Sequence, residues 1–348
     1  MSNDTTRKDA RYRFVFLRMH PHESDFRFAL AEALYEMGFD VTYIYLTKKP
    51  IIHELGSSQQ TTVPRKQFSR YMRKRFGGEK RLVVFNSTDL YKPRLCLLLR
   101  LQIGGIWCFD IHDDLLYEYK GWERIKAKFR QRLLVAASHI QVCAAHNLIE
   151  LVPSARHLGN ASNVVRIERE NIDWRKVLVM SSIDARLNFN LLRETAELLP
   201  HMQFYIYGYV GSEEIKARLT ALTGDRPNVI YAGPYQNSDI SKIMADFGIM
   251  LAPYLHNHLT RYIDPLRFYH GFRSGIEVVS TSIPAVKIMP DLIHVADSPE
   301  ECAARLREIA ENPDARLNFP GRSFVPSWHD KARDLLQMLD GYGKASRR

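Results

Sequence analysis

The chain has 348 residues, 45% of them hydrophobic, which is enough for two domains that each bury a core. No apolar run approaches the roughly 20 residues that span a bilayer, the first residues lack the apolar segment of a secretory signal, and the four scattered cysteines form no CxxC pair. We therefore expect no transmembrane helix, disulfide framework or zinc site, and a protein of the reducing cytoplasm.

The net charge of +10 comes entirely from the first half of the chain. Residues 1–170 hold 28 lysines and arginines against 18 acidic residues, whereas the remainder holds 21 of each. This asymmetry predicts an anionic partner for the first half, and anionic lipid headgroups, a lipid-diphosphate acceptor and nucleic acid all qualify. A basic surface kept for solubility is the alternative. Because no nucleic-acid-binding motif is present, we expect no nucleic acid.

Short apolar strands alternate with amphipathic helices along the first half, which predicts βαβ units and a parallel sheet. The sequence His20–Glu23 follows the first strand, where a dinucleotide-binding protein has GxGxxG. This difference counts against an NAD or FAD enzyme. The predicted strands are 14–17, 41–46, 81–85, 106–111 and 139–143, and the predicted helices are 26–37, 93–101 and 122–135.

Residues 64–81 form a basic amphipathic segment. Phe68, Tyr71, Met72 and Phe76 fall on one helical face, with lysines and arginines around it. Such a helix either lies on an anionic membrane or packs its apolar face into the core. The charge asymmetry favours contact with a membrane or an acceptor.

The turn-rich stretch Gly159–Asn163 precedes a second strand–helix alternation. Two βα domains in series indicate a doubly wound α/β fold. The predicted strands are 177–180, 203–207, 229–231, 249–252 and 278–279, and the predicted helices are 190–199, 212–222, 240–247, one opened by Pro265 and one over 327–339.

Three carboxylates and an imidazole occur together at the end of the strand 106–111, in the run Asp110–Asp114. Ligands of open α/β sheets gather at the carboxyl ends of strands, and a carboxylate there can take a proton from an attacking hydroxyl. We choose Asp113 first and Asp110 second as the base, with His112 contacting a substrate. An Asp that caps the following helix is the structural alternative.

The run Asp264–Pro284 predicts a helix opened by Pro265 and ended by Gly275, followed by a short buried strand. The free N–H groups of a helix start, together with Arg267, suit a diphosphate. Two histidines, at positions 256 and 258, have no evident third ligand nearby, so we expect no metal site.

Three stretches resemble the nucleotide-sugar domain of GT-B glycosyltransferases. The run Asp264–Pro284 is similar to the pattern Asn-Pro-Leu-Lys-x-Tyr-Glu-Tyr-x-Ala-x-Gly-x-Pro-Val-Val-Ser-Thr. Ser181–Asn190 resembles Gly-Ser-Leu-Asp-Glu-Arg-Leu-Asp-Phe-Glu, and Asn228–Tyr235 resembles Asn-Val-x-Phe-x-Gly-Pro. Family 4 and the xanthan-type glucuronosyltransferases are the nearest in pattern.

The resemblance implies two Rossmann-like domains facing a central cleft. Residues 1–168 would bind the acceptor at the membrane, residues 169–326 the donor, and helix 327–348 would cross back to the first domain. The implied reaction moves a sugar from a nucleotide-diphosphate donor, UDP-linked, to a lipid-linked or polysaccharide acceptor at the inner membrane face, with neither metal nor cofactor. The implied donor-binding residues are Arg186, Gly208, Tyr209, Tyr235, Thr260, Asp264, Pro265, Leu266, Arg267 and His270.

The chain departs from the family at two acidic positions. His270 stands where a Glu accepts hydrogen bonds from both ribose hydroxyls, and Tyr262 stands where a second acid occurs. A neutral imidazole offers one acceptor where a carboxylate offers several. An inactive glycosyltransferase-like binding partner and a sugar-nucleotide epimerase therefore remain as alternatives, and the sugar and the stereochemical outcome stay open.

Overall fold

The computed structural model describes residues 11–18, 26–47, 59–64, 66–87, 93–114, 116–117, 119–165, 167, 172–316 and 325–345. These residues form two compact units, one of Met1–Gly159 with Trp328–Arg348 and one of Asn160–Ser327. The expected domain boundary at 168/169 and the loop His20–Glu23 lie outside the described residues. The chain thus passes from the first unit to the second at Gly159 and returns at Trp328.

The strands, in chain order, are β1 (Arg13–Arg18), β2 (Asp40–Thr47), β3 (Gln59–Pro64), β4 (Leu82–Ser87), β5 (Ile106–Ile111), β6 (Ile140–Cys143), β7 (Ala155–His157), β8 (Lys176–Met180), β9 (Gln203–Tyr207), β10 (Val229–Gly233), β11 (Ile249–Ala252), β12 (Glu277–Ser280) and β13 (His294–Val295). The α-helices are α1 (Phe26–Glu36), α2 (Phe68–Phe76), α3 (Pro93–Ile103), α4 (Gly121–Ala137), α5 (Phe189–Leu198), α6 (Glu213–Asp225), α7 (Ile240–Ala245), α8 (His258–Arg261), α9 (Leu266–Ser274), α10 (Pro299–Glu311) and α11 (Trp328–Ala345).

The first unit has a parallel sheet of seven strands in the order β3-β2-β1-β4-β5-β6-β7. Strand order reverses direction between β1 and β4, the place where doubly wound sheets open a ligand crevice. Helices α2, α3 and α4 pack side by side, and α11 packs on α1. The polar strand β3 and the three-residue strand β7 at the two edges were not predicted.

Helix α2 turns its apolar stripe into the protein. Phe68, Met72 and Phe76 are at most 1% exposed, while the lysine and arginine side chains between them face outward. The apolar face of the segment 64–81 therefore packs into the core and does not lie on a membrane. Only its cationic face is available to a partner.

The second unit has a parallel sheet of six strands in the order β10-β9-β8-β11-β12-β13. Apolar side chains of α5, α6 and α10 pack in one core cluster, and those of α7 and α9 in the other. Helix α9 ends at Gly275 with a φ of 92°, a left-handed conformation that glycine adopts without strain. Helix α10, with its Ser298/Glu301 capping box, was not predicted.

The prediction of two doubly wound, Rossmann-like α/β domains is confirmed. No helix among the described residues has the length and apolar character that crossing a bilayer requires. All four cysteines are free and buried. Burial raises the pKa of these thiols, to about 12 for Cys96, Cys143 and Cys302.

Candidate functional site

The loops after β8 and β11 form the centre of the candidate site in the second unit. These two strands are neighbours in the sheet, at the point where strand order reverses. The N–H of Leu255 donates to the carbonyl of Arg186 at 2.9 Å, and the N–H of Asn188 donates to that of Pro253 at 2.8 Å. These bonds fix the loop that carries Arg186 against the end of β11.

Asp184 orients the guanidinium of Arg186. Nε of Arg186 lies 3.0 and 3.1 Å from the two carboxylate oxygens, and the backbone N–H of Arg186 donates to the same carboxylate at 2.9 Å. Burial alone would raise the pKa of Asp184, but the hydrogen bonds and charge of Arg186, with a further contribution from Arg267, lower it. The carboxylate is therefore ionised at neutral pH and holds the arginine in one orientation.

Arg267, in the first turn of α9, lies over the ring of Tyr254, with its Cζ 5.1 Å from the ring centroid. No carboxylate of the described residues lies within ion-pair distance of Arg267. Its charge contributes to the lowered pKa of Asp184 and His270, and it opposes the rise that burial causes in the pKa of Tyr235 and Tyr254. Arg267 is thus a cation whose charge influences four groups of the candidate site.

Tyr254 is a site residue that sequence reasoning missed. It is 3% exposed, and its hydroxyl has no hydrogen-bond partner among the described residues. Burial raises the pKa of Tyr254, although Arg267 and Arg186 act to lower it. Because buried polar groups are normally paired, this hydroxyl beside two arginines fits a donor to an anionic ligand. Its place just after β11 was the only signal in the sequence.

Asp264 holds the start of α9 in place. Its carboxylate accepts from the backbone N–H of Asn160 at 3.0 Å and from the hydroxyl of Tyr269 at 2.8 and 2.9 Å. The side-chain amide of Asn160 donates to the carbonyl of Asp264 at 2.6 Å. The geometry therefore gives Asp264 a positioning role, although we had expected it to bind the donor directly.

Three other expected donor residues also serve the local backbone. Pro265 is the N-cap of α9, and Leu266 is its first residue. The hydroxyl of Thr260 accepts from the N–H of Asn257 within the capping box of α8 and donates to the carbonyl of Leu255 at 2.5 Å. Pro265 and Leu266 thus form the start of α9, while the Thr260 hydroxyl is engaged within the protein.

His270 is half-buried and shares a hydrogen bond with Ser162, whose Oγ lies 2.7 Å from its Nδ1. The N–H of Val164 donates to the same Oγ at 3.0 Å. Burial, assisted by the charge of Arg267, lowers the pKa of His270 to about 4. A neutral imidazole therefore occupies the position where the resembling family has a carboxylate.

Gly208 allows two strand ends to approach each other. A Cβ at this position would lie 1.6 Å from the carbonyl oxygen of Ser181. The resemblance implies that Gly208 binds the donor, whereas the close neighbour of its missing side chain is protein backbone. Tyr209, the next residue, is exposed and accepts a hydrogen bond from the side chain of Gln236 at 2.7 Å. Burial raises the pKa of Tyr235, and the charges of Arg267 and Tyr209 act on it in opposite directions.

The first unit has its own polar cluster around Asp110, at the end of β5. Asp110 is fully buried and forms two-point contacts with Arg27, through Nε at 3.0 Å and Nη2 at 3.0 Å. Arg18 lies 3.6 Å away and Nε2 of His112 lies 2.7 Å away. Burial alone would raise the pKa of Asp110, but the charges of Arg27, His112 and Arg18 hold it well below its usual range.

Such a carboxylate is a poor general base, because its proton affinity is far too low at neutral pH. It accepts a hydrogen bond from Nε2–H of His112, which fixes the orientation of that ring. Asp113 is exposed, with no ion pair or hydrogen bond to another described residue, whereas Asp114 accepts from the N–H of Leu116 at 2.9 Å. Of the acidic pair chosen from the sequence, Asp113 has the accessibility that a base requires.

The described residues contain no group of three or more His, Cys, Asp or Glu side chains arranged to hold a metal ion. The His256 ring instead lies 3.0 Å from a carboxylate oxygen of Asp297.

The fold and this arrangement of loops define a GT-B architecture. The sequence itself matches no protein-family model and no curated protein. Among solved structures, the chain is similar to sucrose-phosphate synthase from Thermosynechococcus elongatus, with a TM-score of 0.72 and 12% identity over 96% of this chain and 100% of that one.

The chain is also similar to HepE from Anabaena, solved in complex with UDP and glucose, with a TM-score of 0.68 and 10% identity over 95% of this chain and 100% of that one. The pneumococcal O-GlcNAc transferase GtfA, solved with UDP and GlcNAc, has a TM-score of 0.66 and 8% identity over 97% of this chain and 98% of that one. The GT-B fold expected from the sequence is confirmed.

Proposed function

We propose that this protein is a glycosyltransferase. It takes a sugar from a nucleotide-diphosphate donor, a UDP-sugar, and transfers it to a lipid-linked or polysaccharide acceptor at an anionic membrane surface. The second unit binds the donor, and the first unit binds the acceptor. Fold similarity to two proteins solved with UDP and a sugar supports this assignment.

The observation that carries the proposal is the cluster of Arg186, Arg267 and Tyr254. The guanidinium of Arg267, in the first turn of α9, lies over the ring of Tyr254, whose buried hydroxyl has no hydrogen-bond partner among the described residues. The charges of Arg267 and Arg186 both act to lower the pKa of that hydroxyl. Planar, permanently charged guanidiniums match phosphate oxygens, and helix N-termini attract anions. Together they suit a diphosphate and supply the charge that a leaving nucleotide needs, in place of a metal.

In the first unit, Asp113 is proposed as the base that takes the proton of the acceptor hydroxyl. His112 contacts the donor sugar or the acceptor, and Asp110 orients it from the buried side. The role of Asp110 is thus positioning, through Nε2 of His112.

Calorimetry with UDP and GDP tests the donor site. The wild type should bind UDP, and Arg267→Met should weaken binding by about 10- to 100-fold, since a hydrogen bond to a charged group contributes about 1.5–3 kcal/mol. Arg305→Met is the matched control, because the one partner of Arg305 among the described residues is its helix neighbour Glu308 on the surface of α10. If the wild type binds neither nucleotide, the donor site is not here.

A transfer assay tests the chemistry. UDP release from UDP-sugars in the presence of polyprenyl-diphosphate-linked glycans should fall by about 100-fold or more in Asp113→Asn. Near-normal turnover in that variant would remove Asp113 from the base role. Turnover that survives EDTA is expected, and abolition by EDTA would overturn the metal-independent mechanism.

One observation favours a second candidate, a binding protein without transferase activity. His270 is neutral and hydrogen-bonded to Ser162 where a ribose-binding carboxylate is expected. A protein that binds UDP-sugars but releases no UDP with any acceptor would fit this candidate and exclude the transferase.

A further inference from the structure

The outer face of the first unit carries exposed apolar side chains on two neighbouring helices. Six of the fourteen large apolar side chains exposed among the described residues lie on α3 and α4, and they are between 42% and 74% exposed. The six are Leu97, Leu98, Leu101, Trp122, Ile125 and Phe129. We call this set the apolar face.

On α4 the apolar face is a true helical stripe. Trp122, Ile125 and Phe129 follow one another at intervals of three and four residues, which places them on one side of the helix. Ala127 and Leu134, on the opposite side, are fully buried against the protein. Helix α4 therefore packs through one side and presents bulky apolar groups to the exterior on the other.

Helix α3 repeats this arrangement next to α4. The side chain of Arg100 donates to the carbonyl of Ala136 at 3.1 Å, which ties the two helices together. Leu99 and Ile103 pack inward, while the three exposed leucines of α3 lie on the outer side. The two stripes thus belong to one surface, which singly scattered apolar residues would not produce.

Cations surround the apolar face. Helices α2, α3 and α4 contain eleven lysines and arginines and a single acidic residue, Glu123. At 100° per residue, Lys126 and Arg130 flank the α4 stripe on one side, and Lys128 and Arg132 flank it on the other. The cationic outer side of α2 continues this charge beyond α3.

This combination selects one kind of occupant. Cores of protein–protein interfaces are depleted in lysine, whereas helices that lie in a bilayer interface have bulky apolar groups flanked by lysine and arginine. Long cationic side chains can extend to headgroup phosphates while their stems cover the apolar groups. Tryptophan is enriched at the same depth.

We propose that the apolar face of α3 and α4 docks on an anionic phospholipid bilayer, with Trp122, Ile125 and Phe129 entering the headgroup–acyl boundary. This docking face deepens the proposed function and rests on it for its purpose, because a lipid-linked acceptor is met at a bilayer. The binding itself requires neither nucleotide nor sugar, so it is measured separately.

The first experiment uses the full-length wild type and its own fluorescence. Trp107 and Trp328 are buried and Trp174 lies under the guanidinium of Arg316, so Trp122 is the tryptophan that vesicles can reach. Vesicles of equal parts phosphatidylglycerol and phosphatidylcholine should shift the emission to shorter wavelength, and brominated acyl chains should quench it. Vesicles of pure phosphatidylcholine should bind far less. No quenching in anionic vesicles would overturn the docking face.

The second experiment is vesicle co-sedimentation of Ile125→Glu/Phe129→Glu. Both side chains are exposed, so the melting temperature should stay within a degree or two of the wild type. Vesicle binding should fall by about tenfold or more, because two apolar contacts are lost and two charges of the wrong sign are added. Leu198→Glu, an exposed apolar site on α5 of the second unit, should leave binding unchanged.

Each outcome decides between explanations. Equal vesicle binding by the double variant and the Leu198→Glu control would refute the docking face. A wild type that dimerises through α3 and α4 and ignores vesicles would assign the surface to a second copy of the chain. Calorimetry with UDP on the double variant separates the two proposals, since lost vesicle binding with intact UDP binding leaves the donor site standing. A wild type that binds vesicles but does not bind UDP would refute the donor site and leave the docking face standing.

Discussion

Replacing Asp110 by Asn should destabilise the first unit strongly without changing its shape. The carboxylate is fully buried between Arg27, which is 0% exposed, and Arg18, which is 1% exposed. An amide keeps the volume but removes the negative charge that both guanidiniums share. It also turns an N–H group towards a guanidinium N–H.

Breaking a buried ion pair by removing one partner costs about 3–5 kcal/mol of unfolding free energy. For a unit of this size, about 1 kcal/mol corresponds to roughly 2–4 °C, so the melting temperature should fall by about 6–20 °C. Urea unfolding followed by circular dichroism at pH 7 measures the difference in unfolding free energy between the wild type and Asp110→Asn. Asp113→Asn is the control, since its exposed carboxylate has no described partner and should change stability by about 0.5 kcal/mol or less.

The stability difference should also depend on pH in a defined direction. Because the pKa of Asp110 is lowered in the folded protein, its contribution is fully present above the unfolded value of about 3.9 and is lost as the pH falls further. The wild type and Asp110→Asn should therefore differ by a constant amount down to about pH 5 and converge below pH 4. If Asp110→Asn lowers the free energy of unfolding at pH 7 by no more than Asp113→Asn does, the buried ion pair does not stabilise the fold.

Three further predictions concern other parts of the chain. Gly208→Ala should yield little folded protein, because its Cβ would lie 1.6 Å from the carbonyl oxygen of Ser181. The control is Gly224→Ala in α6, where a Cβ meets open space. This variant should raise the free energy of unfolding by about 0.5–1 kcal/mol in urea. The imidazole of His270 should titrate near pH 4 in a heteronuclear NMR titration, and a value near 6.5 would remove the burial argument. The four cysteines should resist Ellman's reagent in native buffer and react in denaturant, and rapid reaction in native buffer would show that they are accessible.

Local signals explain which parts of the fold could be predicted from the sequence. Pro265 and Gly275 mark the two ends of α9, because each restricts or permits the conformation of its own backbone. The alternation of strands and helices predicted the doubly wound topology. The edge strand β3, with the polar sequence QQTTVP, has no apolar alternation, so its pairing with β2 comes from tertiary context.

The chemistry of the sites was harder to read, because it depends on partners distant in the chain. Asp110 and Asp113 look alike in sequence, but Asp110 is a buried ion held by Arg27 and Arg18, which lie 83 and 92 residues before it. Gly208 was expected to bind the donor, but its missing side chain makes room for the carbonyl of Ser181. Helical periodicity at α2 showed an apolar face without showing what covers it, and Tyr254 carries no motif at all.

The first unit passes into the second directly between Gly159 and Asn160, with no linker residue between them. The carbonyl of Gly159 accepts from Nη1 of Arg27 at 3.1 Å, and the very next residue, Asn160, is bound to Asp264 through both its backbone and its side chain. On the return, the carbonyl of Pro326 accepts from the N–H of Ser162. One peptide bond therefore joins the hydrogen-bond network of the buried Asp110 to that of Asp264 at the start of α9.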